Sequence, residues 1–292
     1  MDVGLEEGLR ASLVMLALEM GLSDTVLDDV DVLAAAASTA YDISTVLSSL
    51  HEALQRTNAA EWTEAICQEI DSLTHSNMFT KVKQVPASFT LIGSKFVFSL
   101  KRDVSGKVIW YKARLVAQGF SQQEGIDYTN TFAPVVRLTS SWITLTIATS
   151  LNLEIDHLDV ETALLNGKID EETYMQAPKG FEKLGLDLGS LWGLHGSLYS
   201  LKQALLIWNQ LLDGVLKSFG WHRLLLDWCI YVWHDSRGRL MILAVHVDDM
   251  LLAGNNHELM EEAKTWLGKQ FKIKDMGTLN LVISLEVICD KE

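Results

Sequence analysis

The chain has 292 residues with 48% hydrophobic content, so it can bury a substantial core as one or two domains. Its formal net charge of −14 argues against nucleic-acid binding over the whole surface, which requires a basic face. The three cysteines are widely spaced without a metal-ligand pattern, as is typical of a reducing compartment, and no apolar stretch is long enough to cross a membrane. No basic segment begins a signal peptide either, so we expect an intracellular protein, cytoplasmic or nuclear, that acts without a membrane.

Residues 1–55 carry no recognisable motif and are strongly acidic. Residues 1–50 contain nine acidic residues and one basic residue, Arg10, which gives −8 and leaves −6 of the net charge for the rest. Leucines and a run of four alanines favour helix, and the acidic residues are typical of a solvated helix face. We therefore predict an acidic helical extension at 1–55.

The rest of the chain changes repeatedly between helical and strand patterns. Apolar residues at helical spacing predict helices, and short apolar runs bounded by turn residues predict strands. In chain order we predict a helix at 62–73, a strand-rich region with a hairpin tip at 103–106 within 79–120, a helix at 140–151, a strand at 156–160, a helix at 201–219, a strand at 230–233, an aspartate-containing hairpin at 240–254, a helix at 258–271 and a final strand pair at 278–288. This order predicts an α+β fold, an antiparallel sheet with helices on one face.

Two adjacent aspartates, Asp248 and Asp249, separate two apolar runs that each have the character of a buried strand. A tight turn is one explanation for the pair. The other is a metal site, because two like charges beside a hydrophobic sheet repel each other and are costly to desolvate. Carboxylates at strand ends hold Mg²⁺ with open positions for phosphate oxygens, and Asp159, at the end of another apolar strand, is the third candidate ligand.

A series of short segments in a fixed order is the most specific signal in the sequence. The segments are IGSKFVF at 92–98, YKARLVAQGF at 111–120, GIDY at 125–128, TFAPVVR at 131–137, LDVETALLNG at 158–167, EETYM at 171–175, SLYSLKQA at 197–204, VDD at 247–249 and KDMG at 274–277. Together they resemble the reverse transcriptase of copia-type LTR retrotransposons, over roughly residues 60–288.

The resemblance implies a polymerase architecture of fingers and palm. Residues 56–138 would form an N-terminal helix with the fingers, and residues 139–292 the palm, with a fingers insertion near 170–197. The thumb and ribonuclease H that follow the palm in the family are expected to be absent. The implied activity is RNA-directed DNA polymerisation, in which a primer is extended on an RNA or DNA template with deoxynucleoside triphosphates. The implied metal ion is Mg²⁺, which Mn²⁺ can replace. The family works in cytoplasmic virus-like particles or the nucleus, and the oligomeric state is not indicated.

The resemblance also assigns roles to single residues. Asp159 and Asp248 would bridge two metal ions, with Asp249 in support and the backbone carbonyl of Val160 as a further ligand. A strand-end cap is the alternative for Asp159. Lys112 and Arg114 would share one face of a strand and bind triphosphate oxygens; the alternative is a pair of solvated strand charges. The predicted nucleotide-binding residues are Lys112, Arg114, Val160, Leu164 and Ser200.

Several positions depart from the family pattern. Leu164 stands where the family has an aromatic residue that blocks the ribose 2′-hydroxyl, and Ser200 stands where it has a glycine. Leu205 and Leu206 replace a proline and an arginine, and Ile283-Ser284 replaces a Leu-Gly pair in the primer-contacting hairpin. The aspartates are intact while their surroundings are altered. This pattern fits a decayed copy, so the alternative function is a catalytically dead remnant that binds at most nucleic acid or a protein partner.

Overall fold

The computed structural model describes residues 47, 49–102, 107–186, 188–279, 281–282 and 285–286. Residues 1–46 of the predicted acidic extension therefore lie outside the described residues. The hairpin tip at 103–106 and Ile283-Ser284 lie outside them as well. The chain divides into two compact units. We call them the six-stranded unit, described from Pro134–Glu161 and from residue 213 onward, and the hairpin unit, described from residue 47 to Ala133 and over Thr162–Leu212.

The helices and strands follow one another along the chain with short connections. In chain order they are α1 (Leu50–Gln55), α2 (Ala59–His75), β1 (Phe79–Lys81), β2 (Leu91–Ile92), β3 (Ser94–Arg102), β4 (Val108–Ala117), α3 (Leu138–Ser150), β5 (Glu154–Val160), β6 (Lys168–Gln176), β7 (Leu191–Gly196), α4 (Ala204–Phe219), β8 (His222–Arg223), β9 (Ile230–His234), β10 (Leu240–His246), β11 (Asp249–Gly254), α5 (His257–Gln270), β12 (Ile273–Thr278), β13 (Leu281–Val282) and β14 (Leu285–Glu286). Each helix and strand region predicted from periodicity has a counterpart. No helix in the described part of the chain is both long and apolar enough to cross a membrane.

In the hairpin unit, α2 covers the β3–β4 hairpin. Its buried residues recur at helical spacing, and Trp62 packs edge-on against Phe98 and Tyr111, with ring centroids 5.2 and 4.8 Å apart. A second, mixed sheet has the order β1–β7–β6–β2, with β2 and β6 parallel. Leu47 and Leu50 are buried in the same core, so the unit begins before the predicted boundary at residue 56.

The six-stranded sheet has the order β12–β5–β11–β10–β9–β8, and all its neighbouring strands are antiparallel. Alternation places Ala244 and Leu251 on one face, in a core shared with Ala148 of α3. The opposite face carries Asp156 and Tyr231, which contact α5 and α4.

Helices therefore lie on both faces of this sheet, and the prediction of helices on one face was wrong. The reason is visible in β10, whose residues 240–245 are all buried. A strand that is apolar on both sides needs cover on both faces.

Lys264 of α5 fixes the edge strand of the sheet. Its Nζ lies 2.6 Å from Asp156 Oδ2 on β5 and 3.0 Å from Asp275 Oδ2 on β12. Burial alone would lower the pKa of Lys264, but the hydrogen bonds to Asp156, Glu261 and Asp275 outweigh it and raise the pKa above its usual range. Asp275 also accepts a hydrogen bond from the backbone N–H of Gly277, a contact within the KDMG segment itself.

Candidate functional site

The three aspartates meet at one end of the six-stranded sheet. Asp249 is directly opposite Asp159 in the register of β11 and β5, so both side chains are on the same face, with Cβ atoms about 4.5–5.5 Å apart. Asp248 is adjacent in the β10–β11 connection, and its carbonyl accepts a hydrogen bond from the backbone N–H of Val160 at 2.9 Å. The pairing of β5 with β11 therefore sets Asp159 opposite Asp249, with the backbone of Asp248 beside Val160, and the expectation that all three aspartates reach one ion stays a prediction.

The turn that carries Asp248 is strained. His246 and Asp249 are the last pair of the hairpin, so the connection consists of Val247 and Asp248, one residue earlier than the sequence suggested. Val247 has φ = 59°, a left-handed conformation that is unusual for a β-branched residue. Such strain persists only where the surrounding structure enforces it, and it recurs at functional sites.

Two neighbours of the aspartates were not predicted. His157 Nε2 lies 3.0 Å from Asp249 Oδ1, and His157 shares its face with Asp159 two residues later on β5. Lys274 of β12 is directly opposite Asp159. The polar ring of His157 and the positive charge of Lys274 both offset the repulsion between the opposed carboxylates of Asp159 and Asp249. For His157 the sequence did contain a signal, because it alternates with Asp159 on the same strand. For Lys274 it contained none, because the pairing of β12 with β5 cannot be read from the sequence.

The donor atoms at this corner suit a hard cation. Among the residues that the structure describes, no group of three or more His, Cys, Asp or Glu side chains is arranged to hold a metal ion. Mg²⁺ is commonly held by only one or two carboxylates, together with waters and substrate phosphates. The opposed Asp159 and Asp249 supply two carboxylates of that kind, although His157 engages one oxygen of Asp249. The metal-ligand roles of these aspartates and of the Val160 carbonyl stay a prediction.

Lys112 and Arg114 lie on one face of β4 in the hairpin unit, and Ala113 between them is buried. Glu69 of α2 accepts a hydrogen bond from the backbone N–H of Leu115. Burial raises the pKa of Glu69, and this hydrogen bond and the charges of Arg114 and Lys112 oppose the rise only in part. The two basic side chains are thus set in a half-buried environment instead of standing free in water.

The Arg114 guanidinium is stacked on an aromatic ring. It lies 5.6 Å from the ring centroid of Tyr199, a geometry in which the ring face attracts the cation. The Tyr199 carbonyl accepts a hydrogen bond from the N–H of Ala117, which holds the tyrosine beside β4. Within the described residues, Arg114 Nε is buried and has no hydrogen-bond partner.

Ser200 and Leu164 also belong to the hairpin unit. Ser200 has φ = 67°, the left-handed region that favours glycine. Its carbonyl oxygen would lie 2.0 Å from a Cβ placed on Gly119, so that neighbouring turn requires a glycine. Leu164 is half-buried in the 3₁₀ turn Ala163–Leu165, directly after Thr162, which is also left-handed. The aspartates thus lie in one unit, and Lys112, Arg114, Leu164 and Ser200 in the other.

Opposed aspartates at the tip of an antiparallel sheet, with a separate basic hairpin, are the features of a nucleic-acid polymerase domain. A family model described as "Reverse transcriptase (RNA-dependent DNA polymerase)" matches residues 76–292. The chain belongs to this reverse transcriptase family, as a domain of the Pol polyproteins of copia-type transposons.

Three relatives support the assignment. The chain is 37% identical, over 83% of its length, to the retrovirus-related Pol polyprotein from transposon TNT 1-94 of Nicotiana tabacum. It is 33% and 32% identical, over 84% of its length, to those from transposons RE2 and RE1 of Arabidopsis thaliana. The matched part is 18%, 17% and 17% of these relatives, so the chain spans less than a fifth of their length.

Proposed function

We propose that this chain is an RNA-directed DNA polymerase domain that extends a primer 3′-hydroxyl on an RNA or DNA template. Deoxynucleoside triphosphates are its substrates. The observation that carries the proposal is the direct opposition of Asp159 and Asp249 beside the strained turn of Asp248. Carboxylates brought together from distant parts of the chain, despite their mutual repulsion, suit a site that binds cations.

In this proposal Asp159 and Asp248 are metal ligands and Asp249 supports them, with the Val160 carbonyl as a further oxygen ligand. Mg²⁺ or Mn²⁺ would supply the positive charge that activates the primer hydroxyl and balances the leaving pyrophosphate. His157 holds Asp249 in one orientation through its hydrogen bond. Lys274, opposite Asp159, adds positive charge to the same end of the sheet.

Lys112 and Arg114 bind the triphosphate of the incoming nucleotide. Stacking on Tyr199 fixes the plane of the Arg114 guanidinium, a group whose planar fork suits phosphate oxygens. Ser200 contributes backbone near the nucleotide. Leu164 lies beside the sugar, where an aliphatic side chain is shorter than the aromatic ring of the family.

A primer-extension assay with Mg²⁺ tests the proposal. The Asp248→Asn variant should lose on the order of a thousandfold in rate, because it removes charge where the transition state needs it. Asp170→Asn is the matched control, since Asp170 is an exposed aspartate on β6. Extension by Asp248→Asn at the rate of the unmodified chain would rule out the assigned site.

The second candidate function is nucleic-acid binding without polymerisation. The left-handed Ser200 favours it, because the segment that should approach the template is strained in this chain. A displacement of about 1 Å in such a segment can cost roughly a hundredfold in rate. Under this second candidate, the unmodified chain would extend a primer very poorly and would still bind the cation.

Restoring Ser200→Gly, Leu205→Pro and Leu206→Arg together should raise the residual extension rate. Robust extension by the unmodified chain would refute this second candidate. If the triple variant binds primer-template but extends it no faster, the cause of the low activity lies outside residues 200, 205 and 206.

A further inference from the structure

Two histidines lie side by side at the β8 edge of the six-stranded sheet. His222 of β8 is opposite Val232 of β9, and alternation places His234 on the same face as Val232. His222 and His234 are therefore diagonal neighbours across the two strands, a spacing at which aromatic side chains reach each other. Their ring centroids are 6.5 Å apart, and the ring planes are inclined by 40°.

The two imidazoles are not committed to other groups in the described part of the chain. His222 is exposed and His234 is half-buried, and no hydrogen bond or ion pair joins either ring to another described residue. The pair differs in this respect from His157, whose Nε2 lies 3.0 Å from Asp249 Oδ1. Neutral imidazole nitrogens that face each other across two strands are good ligands for a metal ion.

The distance between the rings suits a single transition-metal ion. Imidazole nitrogen is a ligand that Zn²⁺, Cu²⁺ and Ni²⁺ favour, whereas Mg²⁺ favours oxygen. Zn²⁺ binds this nitrogen at about 2.0–2.1 Å, so two nitrogens on one ion are at most about 4.2 Å apart. Rings whose centroids are 6.5 Å apart meet that limit when one nitrogen of each ring faces the other. A rotation of the two side chains is enough to achieve this.

Space for the remaining ligands of such an ion lies beside His234. This residue lines a cavity of about 250 Å³, together with Asp235, Arg239 and Asn255 among others. A cavity of this volume with polar walls can hold several water molecules. Water can therefore complete the coordination shell of an ion that has two protein ligands.

The histidine pair is remote from the aspartates of the candidate site. His234 pairs with Leu240, the first residue of β10, whereas Asp249 pairs with His246, the last one. Positions 240 and 246 are six residues apart, which is about 20 Å along a strand. An ion at the histidines would therefore occupy a separate site.

Strand β8 is weakly held, so a metal ion at this place would have a structural effect. The strand consists of His222 and Arg223 and pairs with β9 at these two positions. The connection that follows exposes Leu225 and Leu226, at 75% and 68% of their surface. Short edge segments with few buried contacts open at low free energy. One ion bound to both strands would oppose that opening.

We propose that His222 and His234 bind one divalent transition-metal ion, of the class of Zn²⁺, Cu²⁺ or Ni²⁺, which holds β8 against β9. The ion binds the folded edge of the sheet and stabilises it by mass action. The proposal goes beyond polymerisation, because the site uses neither the aspartates nor Mg²⁺. It holds whether or not the chain extends a primer.

Isothermal titration calorimetry of the full chain with Zn²⁺, in excess Mg²⁺, tests the site. The Mg²⁺ competes for oxygen ligands and leaves imidazole free. His222→Gln and His234→Gln should each weaken Zn²⁺ binding about tenfold or more, because each removes one of the two protein ligands. His75→Gln is the matched control, since His75 is an exposed histidine of the hairpin unit, and it should bind Zn²⁺ like the unmodified chain.

Amide hydrogen exchange measures the effect of the ion on the edge strand. The Leu224 N–H donates to the Ile230 carbonyl at 2.9 Å, directly after β8. Zn²⁺ should slow the exchange of this amide in the unmodified chain and should not slow it in His222→Gln. Without metal, the melting temperature of His222→Gln should equal that of the unmodified chain, because His222 is exposed, and this equality shows that the variant is folded.

Zn²⁺ affinities of both variants within about twofold of the unmodified chain would overturn the metal site. Binding that requires both histidines but leaves the exchange of Leu224 unchanged would overturn its role in holding β8. Primer extension with Mg²⁺ alone separates this proposal from the proposed function, because His222→Gln should extend at the unmodified rate. Absence of extension in both chains would count against the polymerase and not against the metal site.

Discussion

Replacement of Ser200 by glycine should stabilise the hairpin unit. A left-handed conformation costs a non-glycine residue about 1–2 kcal/mol, and Ser200 has φ = 67°. Glycine removes that cost but makes the unfolded chain more flexible, which costs about 0.5–1 kcal/mol. Ser200 is exposed, so loss of its side chain removes little packing. We expect a net gain of about 0.5–1 kcal/mol, or an increase of roughly 1–4 °C in melting temperature.

Urea and thermal unfolding, followed by tryptophan fluorescence, measure this gain, because Trp62 and Trp192 are buried in the core of that unit. Ser190→Gly is the matched control: Ser190 is also exposed but has no positive φ, so it should lose about 0.5–1 kcal/mol. Ser200→Ala keeps the strain and should change stability by less than either glycine variant. If Ser200→Gly were destabilised as much as Ser190→Gly, the strain argument would be refuted.

Three further predictions test the site and its surroundings. Leu164→Phe should strengthen the exclusion of ribonucleotides in primer extension, and equal discrimination by both chains would contradict the proposed position beside the sugar. Glu69→Gln should reduce the loss of folding stability that occurs as the pH rises above 4.5. The reason is that a carboxyl whose pKa is raised on folding destabilises the folded chain once it ionises. Urea unfolding at several pH values measures this, and an unchanged pH dependence in the variant would contradict it. Deletion of residues 1–46, which carry all nine acidic residues of the N-terminal stretch, should leave the melting temperature unchanged and strengthen oligonucleotide binding at low salt. The deletion stops before Leu47 because Leu47 and Leu50 are buried in the core of the hairpin unit, and a truncated chain that fails to fold would show that the extension is part of that core.

The elements of the fold were predictable because each is encoded locally. Trp62, Ile66, Ile70 and Leu73 repeat at helical spacing, and the structure has a helix there. The placement of helices on both faces of the six-stranded sheet was missed, although the sequence contained the signal. Residues 240–245 do not alternate between apolar and polar, and a strand of that kind is covered on both sides.

The only residues of the candidate site that could be predicted were those that belong to a sequence motif. Asp159, Asp248 and Asp249 come from such motifs, and the pairing of β5 with β11 brings them to one corner. Tyr199 lies within a motif and His157 directly before one, but neither motif indicates what these side chains contact. Their roles depend on which strand pairs with which, and at what register, so a single sequence without homologues does not determine them.

Net charge was the least informative property of this chain, and the structure explains why. A sum over the sequence weights every carboxylate equally, but a nucleic acid responds to the charges within about one Debye length, roughly 8 Å at physiological salt. Asp156 and Asp275 are ion-paired with Lys264 on the face of the sheet opposite Asp159. Lys95, Lys112 and Arg114 are collected on one face because a strand alternates its side chains. An acidic protein can therefore present a basic surface, and binding should depend on the residues of that face far more than on the total of −14.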